Sequence, residues 1–159
     1  MTVAVFIDTN VPMYAGGRAH PYREAAREAI RNIVTGNINA FTDSEVLQEI
    51  LYRYFAINER AKGLAIFDSF STIMRDRVLP VTEKDVVVAR RFADTFGDFS
   101  PRDLVHLGVM KNHGISTIIT ADTAFDRVEW VARLGLESGS AVPPSPSSLS
   151  EAESKNPQA

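Results

Sequence analysis

Val3-Ala4-Val5-Phe6-Ile7-Asp8-Thr9-Asn10 carries five apolar residues in a row that stop at a carboxylate. A strand with one face in water alternates apolar and polar residues. An unbroken apolar run fits a strand covered on both faces, as in the interior of a parallel sheet. Asp8 then stands at the carboxyl end of that strand, close to the core. A carboxylate there is costly unless it is paired, hydrogen-bonded or bound to a cation. In open parallel sheets, ligands bind beyond the carboxyl ends of the strands. The polar residues that follow each apolar run are therefore the ones that matter for function.

Outward from this run, strand-like and helix-like patterns alternate. Residues 21–35 place Tyr22, Ala26, Ala29, Ile30, Ile33 and Val34 at helical spacing, with Gly36 just past the end. Residues 38–41 read as a short strand. Residues 44–57 form the clearest helix, with Val46, Leu47, Ile50, Leu51, Tyr54 and Phe55 on one stripe, and Thr42 and Glu45 have the spacing of its capping box. Helices follow over 60–75 and from Thr82 to Phe96, with a strand at 78–81 between them. Ser100-Pro101 reads as an N-cap followed by proline at the first helical position, opening a helix to Asn112 that Gly114 stops. Residues 115–120 are again strand-like. This alternation predicts an α/β fold, a three-layer α/β/α sandwich with a mostly parallel central sheet.

The length of 159 residues and the 45% hydrophobic content suit one domain with a real core. No apolar run approaches the roughly 20 residues of a membrane span, and Val3–Ile7 is too short for the hydrophobic region of a signal peptide. Cysteine is absent, which excludes disulfides, thiolate metal sites and cysteine nucleophiles. These features fit a cytoplasmic protein without a membrane partner. A net charge of −3 argues against a histone-like nucleic-acid binder, although 13 of the 17 basic residues are arginine, the residue suited to bidentate phosphate contacts. Residues 138–159 hold seven Ser and four Pro and almost no large apolar residue, so residues 1–137 read as the domain and 138–159 as a flexible tail.

Acidic residues gather where the predicted strands end. Asp8 follows the first; Asp43, Glu45 and Glu49 follow the second. Asp103 lies in the first turn of the helix entered through Ser100, and Asp122 and Asp126 follow the last strand. Any one of them suits a helix N-terminus. Together, like charges repel and raise one another's pKa, and no lysine or arginine follows these motifs closely enough to neutralise them all. A hard divalent cation is the natural partner of such a carboxylate pocket. Mg²⁺ or Mn²⁺, as one or two ions, then acts on phosphate substrates. His20, His106 and His113 read as structural, His106 as part of the Leu104–Leu107 apolar helix pattern.

The runs Val-Phe-Ile-Asp8-Thr9-Asn10, Ser44-Glu-Val-Leu-Gln-Glu49-Ile, Ser-Pro-Arg-Asp103-Leu-Val-His106 and Ile-Thr120-Ala-Asp122-Thr-Ala-Phe-Asp126 together resemble the PIN-domain ribonucleases, especially the VapC toxins of toxin–antitoxin pairs. The resemblance spans about residues 3–130, with the four pieces in order. It implies metal-dependent hydrolysis of RNA by ion-activated water, with Asp8, Glu49, Asp103 and Asp122 as the metal-binding and catalytic acids and Asp126 as an additional acid. Glu49 is preferred over Glu45 because the family glutamate sits within the apolar helix pattern. Thr9, Asn10, Ser44 and Thr120 match supporting polar positions, and Arg102, Arg18 and Arg23 are the first candidates for RNA contact. The resemblance also implies a VapB-like antitoxin partner. A homodimer face or antitoxin groove is expected on helices 44–57 and 60–75, whose Tyr52, Tyr54, Phe55, Phe67 and Phe70 cannot all be buried.

Other readings fit less well. A haloacid-dehalogenase-like phosphatase needs a second acid two residues after the first, where this chain has Asn10, and a lysine that is missing between Asn112 and Asp126. A receiver domain has no place for Glu49. A PIN-like scaffold that only binds does not need the complete acid set. An RNA-processing nuclease outside any toxin pair keeps the same chemistry.

Overall fold

A computed structural model of the chain describes residues 2–137; the expected tail at 138–159 lies outside the described residues. Five strands form one parallel sheet in the order β3-β2-β1-β4-β5. They are β1 (Ala4–Ile7), β2 (Asn39–Asp43), β3 (Val78–Leu79), β4 (Thr117–Ile119) and β5 (Ala132–Leu134). The apolar opening run is the central strand, with Val5 level with Ala40 on one side and Thr117 on the other. Val5, Phe6 and Ile7 are buried, as a strand covered on both faces requires. Six helices flank the sheet: α1 (Asn10–Gly16), α2 (Arg23–Val34), α3 (Ser44–Ala56), α4 (Arg60–Ile73), α5 (Glu83–Thr95) and α6 (Pro101–Asn112). They pack chiefly as the pairs α1–α2, α3–α4 and α5–α6. The expected three-layer α/β/α architecture is the one observed.

The order of the strands positions the site. From β1 the chain moves to β2 and β3 on one side, and later to β4 and β5 on the other. The direction of winding therefore switches between β1 and β4. Such a switch leaves a crevice beyond the carboxyl ends of the two strands, which are Ile7-Asp8 and Ile119-Thr120.

Local signals account for most helix ends. Ser100 accepts a hydrogen bond from the Asp103 N–H at 3.2 Å, and Thr82 with Asp85 forms a capping box on α5. Gly36 and Gly114 adopt φ of 78° and 66°, a region that favours glycine. Three readings need correction. The capping box expected between Thr42 and Glu45 does not form: Asp43 is the N-cap of α3, accepting from the Val46 N–H at 2.9 Å, while the buried Thr42 hydroxyl donates to the Ile7 carbonyl across the sheet. Helix α1 has no counterpart in the sequence reading. It is seven residues long with Pro12 in its first turn, where a missing N–H costs nothing, and its Val11 and Pro12 are buried by tertiary packing. Strand β5 also went unread, because three residues at a sheet edge carry too little pattern to show.

Of the large side chains expected to be surplus on α3 and α4, Tyr54 and Phe70 belong to the core, and Phe55 and Phe67 are half-buried. Tyr52, Ile57 and Leu64 are the exposed ones. Among the described residues, no helix is long and apolar enough to cross a membrane.

Candidate active site

Asp8 leaves β1 directly into the crevice and is 4% exposed. Its Oδ1 accepts the Thr9 N–H at 2.7 Å, and its Oδ2 accepts the Thr120 hydroxyl at 2.7 Å and the Asn10 amide at 3.3 Å. Asn10 also donates to Thr120 Oγ1 at 2.9 Å and accepts the Ala121 N–H at 3.1 Å. Thr120 Oγ1 in turn accepts the Asp122 N–H at 3.1 Å, and Asp122 caps the 3-10 turn Thr123–Arg127 through the Ala124 N–H. The β1–β4 crevice is thus laced by one polar mesh that fixes the orientation of the Asp8 carboxylate.

Glu49 enters from α3. The spacing that puts Val46 and Ile50 in the core turns Glu49 toward the crevice, where it is 7% exposed. Thr9 Oγ1 donates to its Oε2 at 2.5 Å. Its Oε1 accepts Arg53 Nε at 3.2 Å and lies 3.7 Å from Arg102 Nη1. Two arginines therefore reach one member of the acid cluster, because one helical turn brings Arg53 beside Glu49 and the start of α6 brings Arg102 over the same carboxylate. Glu45, the neighbour one turn earlier, does not line the cleft. Asp103 enters from the first turn of α6. Burial, with Asp8 and Asp122 nearby, pushes its carboxyl up to about 6. Burial also raises Asp8, outweighing the nearby His106 and the Thr120 and Thr9 hydrogen bonds that lower it, and Glu49 adds to the rise. Without a cation both carboxyls ionise less readily than an ordinary aspartate.

Behind the acids lies a pair that the sequence reading did not bring into the site. His106, on α6, is fully buried against the Phe6 ring, with centroids 5.3 Å apart. Its Nδ1 is 2.7 Å from Oδ2 of the equally buried Asp43. Its Nε2 has no hydrogen-bond partner among the described residues and sits 3.9 Å from Asp8 Oδ1. Burial lowers the histidine pKa, but Asp43, helped by Asp8 and Asp103, overrides it and raises the value to about 9. The signal was present: Asp103 and His106 are three apart on one helix and so share a face. Ligand atoms of Asp8, Glu49 and His106 lie within 4.8 Å of one another.

Asp8, Glu49, Asp103 and Asp122 all line a single cleft of about 640 Å³, together with Thr9, Asn10, Ser100, Arg18, Arg53 and Arg102. Three other predicted positions are not brought there. Asp126 is exposed and held by Arg133 through two hydrogen bonds of 2.9 and 3.1 Å. Ser44 accepts the Val81 N–H at 3.1 Å and joins β3 to α3. Arg23 opens α2 and does not line the cleft.

The carboxylates offer hard oxygen donors, and Asp8, Glu49, Asp103 and Asp122 crowd close enough that Asp8 and Asp103 are raised by neighbouring acids. The residues present therefore fit a divalent cation. The PIN domain model matches residues 5–131. The chain belongs to the PIN-domain family. Ribonuclease VapC13 of Mycobacterium tuberculosis is 35% identical to it over 130 residues, covering 82% of this chain and 98% of that protein. Ribonuclease VapC23 of the same species is 34% identical over 120 residues, covering 74% and 92%. Solved PIN-fold structures agree at low identity. VapC20 of M. tuberculosis, described as a sarcin-ricin-loop-cleaving toxin, superposes with a TM-score of 0.64 at 19% identity, over 80% of this chain and 96% of that one. The VapBC2 complex of Rickettsia felis bound to a promoter DNA fragment gives 0.65 at 15%, over 84% and 98%.

Proposed function

We propose that this PIN-domain protein is a metal-dependent ribonuclease that hydrolyses RNA phosphodiesters, and that it is the cytoplasmic toxin of a VapBC-type pair. The observation that carries the reading is the convergence of Asp8, Glu49, Asp103 and Asp122, from four separate segments of chain, on one cleft. In this reading they hold one or two Mg²⁺ or Mn²⁺ ions. When bound, such ions lower the pKa of water and neutralise charge on a phosphate.

The chain's own residues prepare the site. Thr120 and Asn10 hold Asp8 in orientation, and Thr9 and Arg53 do the same for Glu49. Asp43 and His106 support Asp8 from the core side. Asp103, raised only to about 6, is ionised at neutral pH and available as a ligand. Arg102 and Arg18 line the cleft mouth and suit the RNA backbone. Asp126 is assigned to the Arg133 pair rather than to an ion. The VapC relatives support a VapB-like antitoxin as the partner, and exposed Tyr52, Ile57 and Leu64 on α3, α4 and the turn between them support a homodimer or antitoxin face there.

The test is cleavage of a labelled RNA pool by purified protein with and without Mg²⁺ or Mn²⁺, beside D8N. Metal-dependent cleavage lost in D8N is the expected result. No cleavage, with no metal binding by calorimetry, would make the acid cluster structural and the reading wrong.

A further inference from the structure

One end of the cleft has no part in holding a cation. Tyr14 on α1, His20 in the loop that follows, and Tyr22 at the start of α2 bring three rings together there. The centroids of Tyr14 and His20 are 4.5 Å apart at 33°, those of His20 and Tyr22 are 4.9 Å apart at 65°, and those of Tyr14 and Tyr22 are 5.4 Å apart at 82°. His20 is exposed, yet its ring is not free to turn: Nδ1 accepts the Tyr22 N–H at 3.1 Å, and the His20 carbonyl accepts the Arg23 N–H at 3.0 Å. All three rings line the same cleft as the acids. Arg18 and Lys62 line it too, and neither has an ion-pair partner among the described residues, whereas Arg53 and Arg102 are engaged with Glu49.

Pre-oriented rings beside free cations match the chemistry of an unpaired nucleotide. A base presents a flat face for stacking only when it has left its own helix, and flanking phosphates take the cations. We propose that Tyr14, His20 and Tyr22 form a stacking subsite for an unpaired RNA base beside the scissile phosphate, with Arg18 and Lys62 on the neighbouring phosphates. This rests on the ribonuclease reading above and adds which side chains of this chain receive the base.

The experiment is fluorescence anisotropy in EDTA, so that binding is measured without cleavage. The probes are a labelled oligoadenylate of about eight nucleotides, the same backbone with abasic riboses, and a duplex of equal length. The intact strand is expected to bind about tenfold more tightly than the abasic one. H20N keeps an acceptor for the Tyr22 N–H but removes the ring. It should lower affinity for the intact strand about tenfold and leave the abasic strand unchanged, while H20F retains the preference. R18Q should weaken both single strands alike. Equal loss of both strands in H20N, no loss of either, a duplex bound as tightly as the single strand, or no binding of oligoadenylate would each overturn the subsite. Metal-dependent cleavage is scored separately. Cleavage without base-dependent binding removes the subsite and leaves the nuclease; base-dependent binding without cleavage does the reverse.

Discussion

Replacing Asp43 by Asn isolates the charge of one buried carboxylate. Asn serves as an N-cap nearly as well as Asp, so with its oxygen on the Val46 N–H the cap survives, and its amide NH2 then takes the place of Oδ2 facing His106 Nδ1, where only a neutral imidazole can accept it. What is lost is the ion pair with its charge-assisted hydrogen bond, both of which need protonated His106. In the wild type the histidine pKa rises from 6.5 to about 9, largely through Asp43 acting against burial. A group whose folded pKa is raised contributes its full stability below the unfolded value and loses it as pH climbs through the folded one. The rise amounts to about 3 kcal/mol below pH 6.5, somewhat less at pH 7, and almost nothing above about pH 9.5. Metal-free D43N should therefore melt about 10 °C below the wild type near pH 6.5, and the gap should close toward pH 10. Thermal unfolding of both proteins across that range, followed by circular dichroism, measures it. A gap that stays constant with pH, or that falls below about 1 kcal/mol near pH 6.5, would refute the buried ion pair. D43A also removes the cap, and should add about 1 kcal/mol that does not vary with pH.

Three further outcomes follow from the same site. Asp103 is raised to about 6, so metal-free protein should lose stability as pH rises from about 4 through about 6; added Mn²⁺ should raise the melting temperature more near pH 7.5 than near pH 5, which scanning fluorimetry reads directly. E49Q should lose Mn²⁺ affinity by about 10-fold or more in calorimetry with its fold intact, because the Gln oxygen can still accept from Arg53 while its amide NH2 donates to the Thr9 hydroxyl; unchanged affinity would remove Glu49 from the ligand set. G108A should destabilise the protein by about 1–3 kcal/mol in urea, since a Cβ there would stand 2.3 Å from the Asp85 carbonyl oxygen where α6 crosses α5; a neutral result would mean the two helices separate freely.

The parts legible in the sequence were those encoded by local pattern. The unbroken run at Val3–Ile7 identified the central strand, helical stripes identified α2 through α6, strand ends pointed to Asp8 and Asp122, and the Ser100-Pro101 helix start pointed to Asp103. Glu49 emerged because its neighbours Val46 and Ile50 must face the core, which turns it to the stripe's margin. Short elements were not legible. Helix α1 and strand β5, seven and three residues long, owe their form to packing rather than to propensity.

Sequence by itself thus determined the fold class and the acids at the sheet edge, because apolar periodicity and strand ends are properties of consecutive residues. Tertiary structure alone decided how those acids are held. Thr120 reaches Asp8 across 112 positions of chain, Asp43 reaches His106 across 63, and Thr9 reaches Glu49 across 40. It also decided that Asp126 turns to Arg133 and that Tyr14, His20 and Tyr22 meet at one end of the cleft. Such pairings depend on strand register and on the rotation of each helix about its axis. Both are set by how the whole core packs, and no local stretch of sequence contains that information.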